Sequence, residues 1–291
     1  MLILISDAFD SSLSGKLEKF GDVTDDKGRL AEANVVLVRS KTKCTREYID
    51  SATSLKLIIR GGVGLDNIDL EYAKEKGVKV FNTASASAIA VAELTMALML
   101  AVPNNVIPGH VSLSEGRWEK KQLKRSELWH KTLGLIGVGN IGSEVARRAR
   151  AFDMDVIAFD PVIDSHEIAT MVESVDEIYK RADYISLHVP LVDGTKGMIN
   201  ASSIDKMKDG VVIVNTARGK CIVEEDLARA LESGKVRGFG NDVWYSDPPP
   251  PDSPILKAPN VVMTPHIGAS SKENLLRIGD VILDIIEKEA P

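Results

Sequence analysis

An arginine, two acids and a histidine recur late in the chain in a fixed order: Arg218 within Asn215-Thr216-Ala217-Arg218-Gly219, then Asp242 and Asp247, then His266 within Thr264-Pro265-His266-Ile267-Gly268. A guanidinium can grip a carboxylate through two parallel N–H donors, a geometry that lysine cannot copy. An imidazole can take and return a proton near neutrality, and an acid behind it can fix the ring and stabilise the imidazolium. Upstream, Gly137-Val138-Gly139-Asn140-Ile141-Gly142 has the spacing of a dinucleotide cradle. Together these are the parts that hydride transfer on a 2-hydroxy acid requires.

A glycine-rich hexapeptide alone is weak, so its flanks decide its weight. Lys131–Ile136 reads as a strand entering the loop, and Asn140–Phe152 as a helix leaving it. Gly137 then permits the tight turn, Gly139 lets a pyrophosphate approach the backbone, and Gly142 lets helix and strand pack, with helix N–H groups facing the anion. The next strand, Val156–Phe159, ends in Asp160. An acid there accepts hydrogen bonds from the adenosine ribose and repels a 2'-phosphate, and Pro161 and Val162 add no basic residue to receive one. NAD is therefore expected over NADP; the alternative is that Asp160 is a plain turn acid.

Short β-branched runs alternate with helical patterns, which predicts parallel strands joined by helices. In the first half Leu2–Ser6, Val35–Arg39, Leu57–Arg60 and Val78–Phe81 read as strands. In the second, Thr132–Ile136, Asp155–Asp160, Tyr184–Val189, Val211–Asn215, Gly238–Val243 and Val261–Thr264 form a separate series. Ser270–Lys288 reads as an amphipathic helix that returns to the first sheet. The fold class expected is α/β, with two Rossmann-like parallel-sheet domains and the nucleotide domain inserted into a discontinuous substrate domain. Residues 1–98 and 267–291 would form a flavodoxin-like substrate-binding domain, and 99–266 the NAD-binding Rossmann domain.

Composition narrows the remaining choices. With 291 residues, 44% hydrophobic and 27% charged, the chain has a globular profile and a length that favours two domains. A net charge of -6 supplies no basic surplus for phosphate backbones, so nucleic acid is not an expected partner. Cys44 and Cys221 stand far apart without ligand spacing and read as packing residues in a reducing, cytoplasmic setting. The N-terminal Met1-Leu2-Ile3-Leu4-Ile5 has neither a basic region nor a cleavage site and reads as a strand rather than a signal. Ala84–Val102 is apolar, yet Glu93 and its many alanines point to a buried inter-domain helix, and no membrane partner is expected. His110, His130 and His166 show no zinc-ligand spacing, so no metal is expected.

With these pieces placed, the chain resembles the D-isomer-specific 2-hydroxyacid dehydrogenase family along nearly its whole length. Besides the motifs above, the ordered matches are Gly62-Val63-Gly64-Leu65-Asp66-Asn67-Ile68-Asp69, Val91-Ala92-Glu93-Leu94, Gly116-Arg117-Trp118, His188-Val189-Pro190-Leu191 and Gly240-Asn241-Asp242-Val243. The resemblance implies that His266 is the acid and base, that the acid aligned with Asp247 backs it, and that Arg218 binds the substrate. Main-chain N–H groups around Val63 and Gly64 would take the other side of the substrate carboxylate. The cofactor-facing set becomes Gly137, Gly139, Asn140, Ile141, Gly142, Asp160, Val189, Thr216, Ala217, Asp242, Gly268 and Ala269. Asp242 would be a nicotinamide-side or structural acid, and His188 either a neighbour of the cofactor or a packing residue. In relatives the Gly-Arg-Trp segment lies near the dimer contact, so a homodimer is expected, with Trp118 otherwise a buried anchor.

One departure touches the chemistry. The family usually carries Glu, and a formate-oxidising branch Gln, where this chain has Asp247; losing a methylene either draws the proline-rich loop inward or weakens the dyad. Among branches, the resemblance is greatest to the phosphoglycerate-oxidising one, whose patterns match Arg39-Ser40-Lys41-Thr42-Lys43 and Arg60-Gly61-Gly62-Val63-Gly64. Arg39, Lys43 and Arg60 would then supply the charge that a substrate phosphate needs. The chain stops after its last helix, so the carboxy-terminal regulatory module of many such enzymes, and feedback by serine, are not expected. Ala84 and Ser87, where relatives often carry Pro and Asn, keep glyoxylate or hydroxypyruvate reduction as the second reading. A third, from another class, is an NAD-sensing binding protein like the corepressors that share the fold.

Overall fold

A computed structural model describes residues 1–289. Two compact units emerge, one made of Met1–Ala90 with the segment from Ala269 onward, the other of Val91–Gly268. The helices, in chain order, are α1 (Leu13–Leu17), α2 (Arg46–Ser51), α3 (Leu70–Glu75), α4 (Ala84–Ala101), α5 (Val106–Ser114), α6 (Asn140–Arg150), α7 (Val175–Arg181), α8 (Ala201–Asp205), α9 (Glu224–Ser233) and α10 (Lys272–Glu289).

The first unit is built on a parallel sheet of β1 (Leu2–Ile5), β2 (Asp22–Thr24), β3 (Val35–Val38), β4 (Leu57–Arg60) and β5 (Lys79–Asn82), in the order β2-β1-β3-β4-β5. Its central strand shows why Val35-Val36-Leu37-Val38 has no polar residue. All four are buried, Val36 and Val38 facing a core with Leu4 and Ile58, Val35 and Leu37 facing another with Ile3 and Ile59. Side chains alternate along a strand, so a sheet covered on both faces needs apolar residues at every position. On the second face, α10 supplies Ile278, Ile282 and Ile286, spaced by four so that they form one stripe. Burying each contributes roughly 2 kcal/mol.

The second unit holds β6 (Thr132–Ile136), β7 (Asp155–Phe159), β8 (Thr170–Met171), β9 (Tyr184–Leu187), β10 (Val211–Asn215), β11 (Val236–Asn241) and β12 (Val261–Met263). Their order is β12-β11-β10-β9-β6-β7-β8, with every pairing parallel. The chain runs outward from β6 to β8, then returns to β9 and builds the other half. The reversal lies between β6 and β9, where open α/β sheets bind ligands beyond the strands' carboxyl ends.

By length and composition, α4 is the one helix among the described residues that could cross a membrane. Its Ala92, Met96, Leu98 and Met99 are instead buried in the core of the second unit. Leu98 lies on Gly240, where an added Cβ would stand 2.9 Å from the leucine Cβ, and Val102 lies in the same way on Gly238. Two glycines on β11 thus let a helix rest directly on a strand. Two edge strands, β2 and β8, were not apparent from the hydrophobic pattern.

Candidate active site

At the end of β6, Gly137 turns with φ 91° and donates to the Phe159 carbonyl at 2.9 Å. A side chain there would meet the His188 carbonyl oxygen at 2.6 Å and Val189 Cγ1 at 3.2 Å. Gly142, in the first turn of α6, presses on the Gly137 carbonyl so closely that a Cβ could not fit. At Gly139 an added Cβ would meet nothing within 4 Å, which leaves the loop open where a pyrophosphate would approach. Asp160 closes the other side: Oδ2 accepts from Val138 N–H and Oδ1 from Val162 N–H, each at 3.0 Å. A carboxylate has about four acceptor positions, so both oxygens retain capacity for ribose hydroxyls. These residues fit a dinucleotide.

Beneath this loop lies His188, partly buried. Its Nε2 shares a proton with the fully buried Ser186 Oγ at 2.9 Å, while Nδ1 is buried without a hydrogen-bond partner. Burial pushes the imidazole down to about 3, so the ring is neutral.

The Arg218 turn is shaped by Asn215. Its Oδ1 accepts from Ala217 N–H and its Nδ2 donates to the Arg218 carbonyl, both at 3.0 Å. The Thr95 hydroxyl on α4 donates to the Val91 carbonyl at 2.8 Å, so in its 2.9 Å contact with Thr216 the latter is the donor. Arg218 Nη1 donates to the Ala217 carbonyl at 2.6 Å. Next in sequence, Gly219 touches the Trp244 backbone so tightly that no Cβ could be accommodated. The segment leading to Asp247 therefore begins against the Arg218 turn.

His266 sits at φ 55°, in the left-handed region that non-glycine residues rarely occupy. The tethers that hold it there come from β11 and the segment after it. Asp242, 2% exposed, accepts from Thr264 Oγ1 at 2.6 Å, Ile267 N–H at 2.8 Å and Gly268 N–H at 2.9 Å. Trp244 Nε1 donates to the Thr264 carbonyl at 3.1 Å. Asp242 thus anchors the backbone on both sides of the histidine, while Asp247 Oδ2 meets the ring itself at Nδ1, 2.5 Å away. The shorter acid reaches the imidazole directly. Both side chains are partly exposed, 40% for His266 and 48% for Asp247. With Nδ1 engaged, Nε2 is the nitrogen left to exchange a proton with a substrate.

The remaining sequence candidates belong to the first unit, with Arg39, Arg60, Val63 and Gly64 at the ends of β3 and β4. Asp7 accepts from Arg39 N–H at 2.6 Å and from Thr42 N–H and Oγ1, and Asn67 Nδ2 donates to the Arg39 and Thr42 carbonyls. Burial lowers the Arg39 pKa, and the nearby Asp7 charge offsets part of that effect. Lys43, at the end of the same loop, is exposed. The Arg60 guanidinium lies against Gly62, at φ 149°, where an added Cβ would displace it. Asn82 Nδ2 donates to the Val63 carbonyl at 2.6 Å, and Thr83 Oγ1 accepts from Gly62 N–H at 2.8 Å. Ala269 begins the returning segment of this unit.

Several supports were not singled out from sequence. Asn215 was readable as a turn-forming residue, whereas Thr95, Trp244 and Asn82 carry no local signal of their contacts. Among the described residues no three His, Cys, Asp or Glu side chains group to hold a metal ion.

Residues 96–268 match the family described as D-isomer specific 2-hydroxyacid dehydrogenase, NAD binding domain. Hydroxypyruvate reductase of Thermotoga maritima is 52% identical across 89% of this chain and 86% of its own length. D-3-phosphoglycerate dehydrogenase of Methanocaldococcus jannaschii is 43% identical across 98% of this chain and 57% of its own. The chain spans about half the length of the phosphoglycerate dehydrogenases it matches. The crystal structure of D-lactate dehydrogenase from Aquifex aeolicus, complexed with NAD and lactic acid, superposes with a TM-score of 0.88 at 32% identity, covering 99% of this chain and 94% of that one. The chain belongs to the D-isomer-specific 2-hydroxyacid dehydrogenase family and carries its NAD-binding domain.

Proposed function

We propose that this protein oxidises a D-2-hydroxy acid, or reduces the corresponding 2-oxo acid, with His266, Asp247 and Arg218 carrying the chemistry and 3-phosphoglycerate as the substrate. The observation that carries the reading is the His266–Asp247 contact at 2.5 Å. NAD, held by the Gly137–Gly142 loop and Asp160, supplies the carbon that accepts hydride from C2. His266 Nε2 takes the hydroxyl proton as that hydride leaves, and the Asp247 carboxylate stabilises the resulting imidazolium. Such a group contributes about 10²- to 10⁴-fold in rate. Arg218 grips the substrate carboxylate, and main-chain N–H groups at Val63 and Gly64 bind its other side.

Arg39, Lys43 and Arg60 take the phosphate. Support comes from Arg39 and Arg60 standing at the ends of neighbouring parallel strands and from the burial that disfavours the Arg39 charge, which an anion would relieve. The second reading, reduction of hydroxypyruvate, is favoured by the name and the 52% identity of the Thermotoga relative. The exposed apolar residues Val106, Ile107, Val111 and Leu113, with Trp118 at 78% exposure, support a homodimer seated on this face. A cytoplasmic location accords with cysteines, Cys44 and Cys221, that are both buried.

Initial rates with NAD and 3-phosphoglycerate, glycerate or lactate, and with NADH and hydroxypyruvate or glyoxylate, test the reading. The expected result is kcat/KM for 3-phosphoglycerate at least about tenfold above glycerate, the factor that corresponds to about 1.4 kcal/mol. Equal or better use of unphosphorylated acids removes the phosphate assignment in favour of hydroxypyruvate. No turnover of any acid leaves a nucleotide-binding protein. His266→Ala should cost about 10²- to 10⁴-fold; near wild-type turnover would refute the proton-transfer role.

A further inference from the structure

Outside the reacting centre, one chain of hydrogen bonds joins three segments of the second unit and converges on the nucleotide loop. Val138 lies between Gly137 and Gly139, and both polar groups of its backbone are engaged. Its N–H donates to Asp160 Oδ2 at 3.0 Å, and its carbonyl accepts from Ser143 Oγ, in the first turn of α6, at 2.8 Å. The Ser143 oxygen in turn contacts His166 Nε2 at 3.0 Å. The other ring nitrogen, Nδ1, accepts from Ile168 N–H at 3.2 Å and Ala169 N–H at 3.1 Å.

The protons in this chain have one consistent arrangement. A nitrogen that accepts from backbone amides carries no hydrogen, so Nδ1 is bare and Nε2 bears the proton. Nε2–H therefore donates to Ser143, which leaves the single serine hydrogen for the Val138 carbonyl. Reversing the tautomer would set Nδ1–H against two N–H donors and turn the serine hydrogen away from the loop.

We propose that His166 is a positioning residue for the nucleotide, acting through Ser143 to hold the Val138–Gly139 peptide of the loop. Gly139 on its far side leaves that peptide freer to rotate, and rotation would redirect the Gly139 N–H, which lies in the same plane. Asp160 fixes the peptide that precedes the Val138 Cα, through its N–H, and the His166–Ser143 pair fixes the one that follows, through its carbonyl. The same ring ties down the segment after Asp160, through Ile168 and Ala169, so the loop and the ribose-side acid are set together before the nucleotide arrives. Ordering done in advance is not charged against binding. The inference rests on the proposed role of the Gly137–Gly142 loop.

The test is calorimetric titration of the intact protein with ADP-ribose, together with steady-state kinetics in NAD. His166→Ala should weaken ADP-ribose and raise KM for NAD by about tenfold, corresponding to about 1.4 kcal/mol, with kcat at saturating NAD changed less than about twofold. His166→Gln, which keeps one acceptor and one donor on the side chain, should restore most of the affinity. Ser143→Ala should weaken binding similarly, and the double variant should be no worse than either single one. Nitrogen NMR of the wild-type protein should show His166 protonated at Nε2 and bare at Nδ1. An unchanged ADP-ribose affinity in His166→Ala, additive losses in the double variant, or the opposite tautomer would each overturn the assignment. Failure of the wild-type protein itself to bind ADP-ribose would instead remove the loop reading, and the inference with it.

Discussion

Acid should destabilise the second unit through His188, and the size of the effect follows from its surroundings. Burial holds this imidazole at about 3 against an ordinary 6.5. Below pH 6.5 the unfolded chain takes up a proton that the folded one refuses. The contribution is therefore complete above 6.5 and is lost progressively as pH falls toward 3. One unit of pKa is about 1.36 kcal/mol, so between pH 7 and pH 5 this one group removes about 2 kcal/mol. The structure explains the refusal, because Nε2 already faces Ser186 and no acceptor meets the buried Nδ1. The perturbation is the pair Ser186→Ala with His188→Leu, which removes the ring without stranding a buried hydroxyl. Urea unfolding followed by tryptophan fluorescence is the assay, since Trp118, Trp129 and Trp244 all belong to the second unit. Wild-type stability should fall about 2 kcal/mol more than that of the variant between pH 7 and 5. Parallel pH profiles for the two proteins would refute the reasoning.

Two further changes probe the loops around His266. Asp242→Asn keeps the shape but places an amide donor against backbone donors, so it should cost about 1–3 kcal/mol in urea unfolding and lower kcat in the folded protein; an unchanged kcat would separate the anchor from the chemistry. Gly219→Ala forces a methyl into the Trp244 backbone and should shift the segment that leads to Asp247, where ~1 Å of misplacement costs ~100-fold in rate. Gly15→Ala in α1, where an added Cβ meets nothing within 4 Å, is the control, and equal activity losses in the two variants would refute the packing argument.

The parts of the fold that were legible in the sequence are those whose residues face apolar surroundings on both sides. Val35–Val38 and Val211–Asn215 announce themselves because a buried parallel strand has no polar face. β2 and β8, of three and two residues at sheet edges, contain Asp22 and Thr170 exposed to solvent and leave no such trace. The Gly137–Gly142 turn was legible for another reason: Gly137 and Gly142 are demanded by backbone contacts that a side chain would block, so residue type reports geometry directly. The two acids were harder. Spacing alone could not say which of Asp242 and Asp247 meets the ring, because the answer depends on how the turn after β12 and the proline-rich segment fold back. Resemblance to a family supplied an order that physics applied to the bare sequence did not. The His166–Ser143 contact spans 23 positions and joins the first turn of α6 to the segment after β7. No local pattern marks it.

The two acids divide their labour in a way that bears on the shortened side chain at 247. Were the histidine loop held only by its ring, an acid one methylene short would have to drag the whole turn toward itself. Here the turn is already fixed by three hydrogen bonds to Asp242, two from the Ile267 and Gly268 N–H groups and one from the Thr264 hydroxyl, and by one from the Trp244 indole to the Thr264 carbonyl; bonds to a carboxylate are about twice as strong as neutral ones. The origin of the Asp247 segment is fixed separately, where the Trp244 backbone rests on Gly219. Trp244 therefore contacts both the Arg218 turn and the histidine turn, and the distance that the acid must bridge is set by these packed neighbours. A carboxylate working from a pre-set distance needs only to orient the imidazole, and for that task the shorter side chain has fewer rotamers to lose. On this argument Asp at 247 is compatible with full proton-transfer chemistry because Gly219, Trp244 and Asp242 have already brought the two loops together.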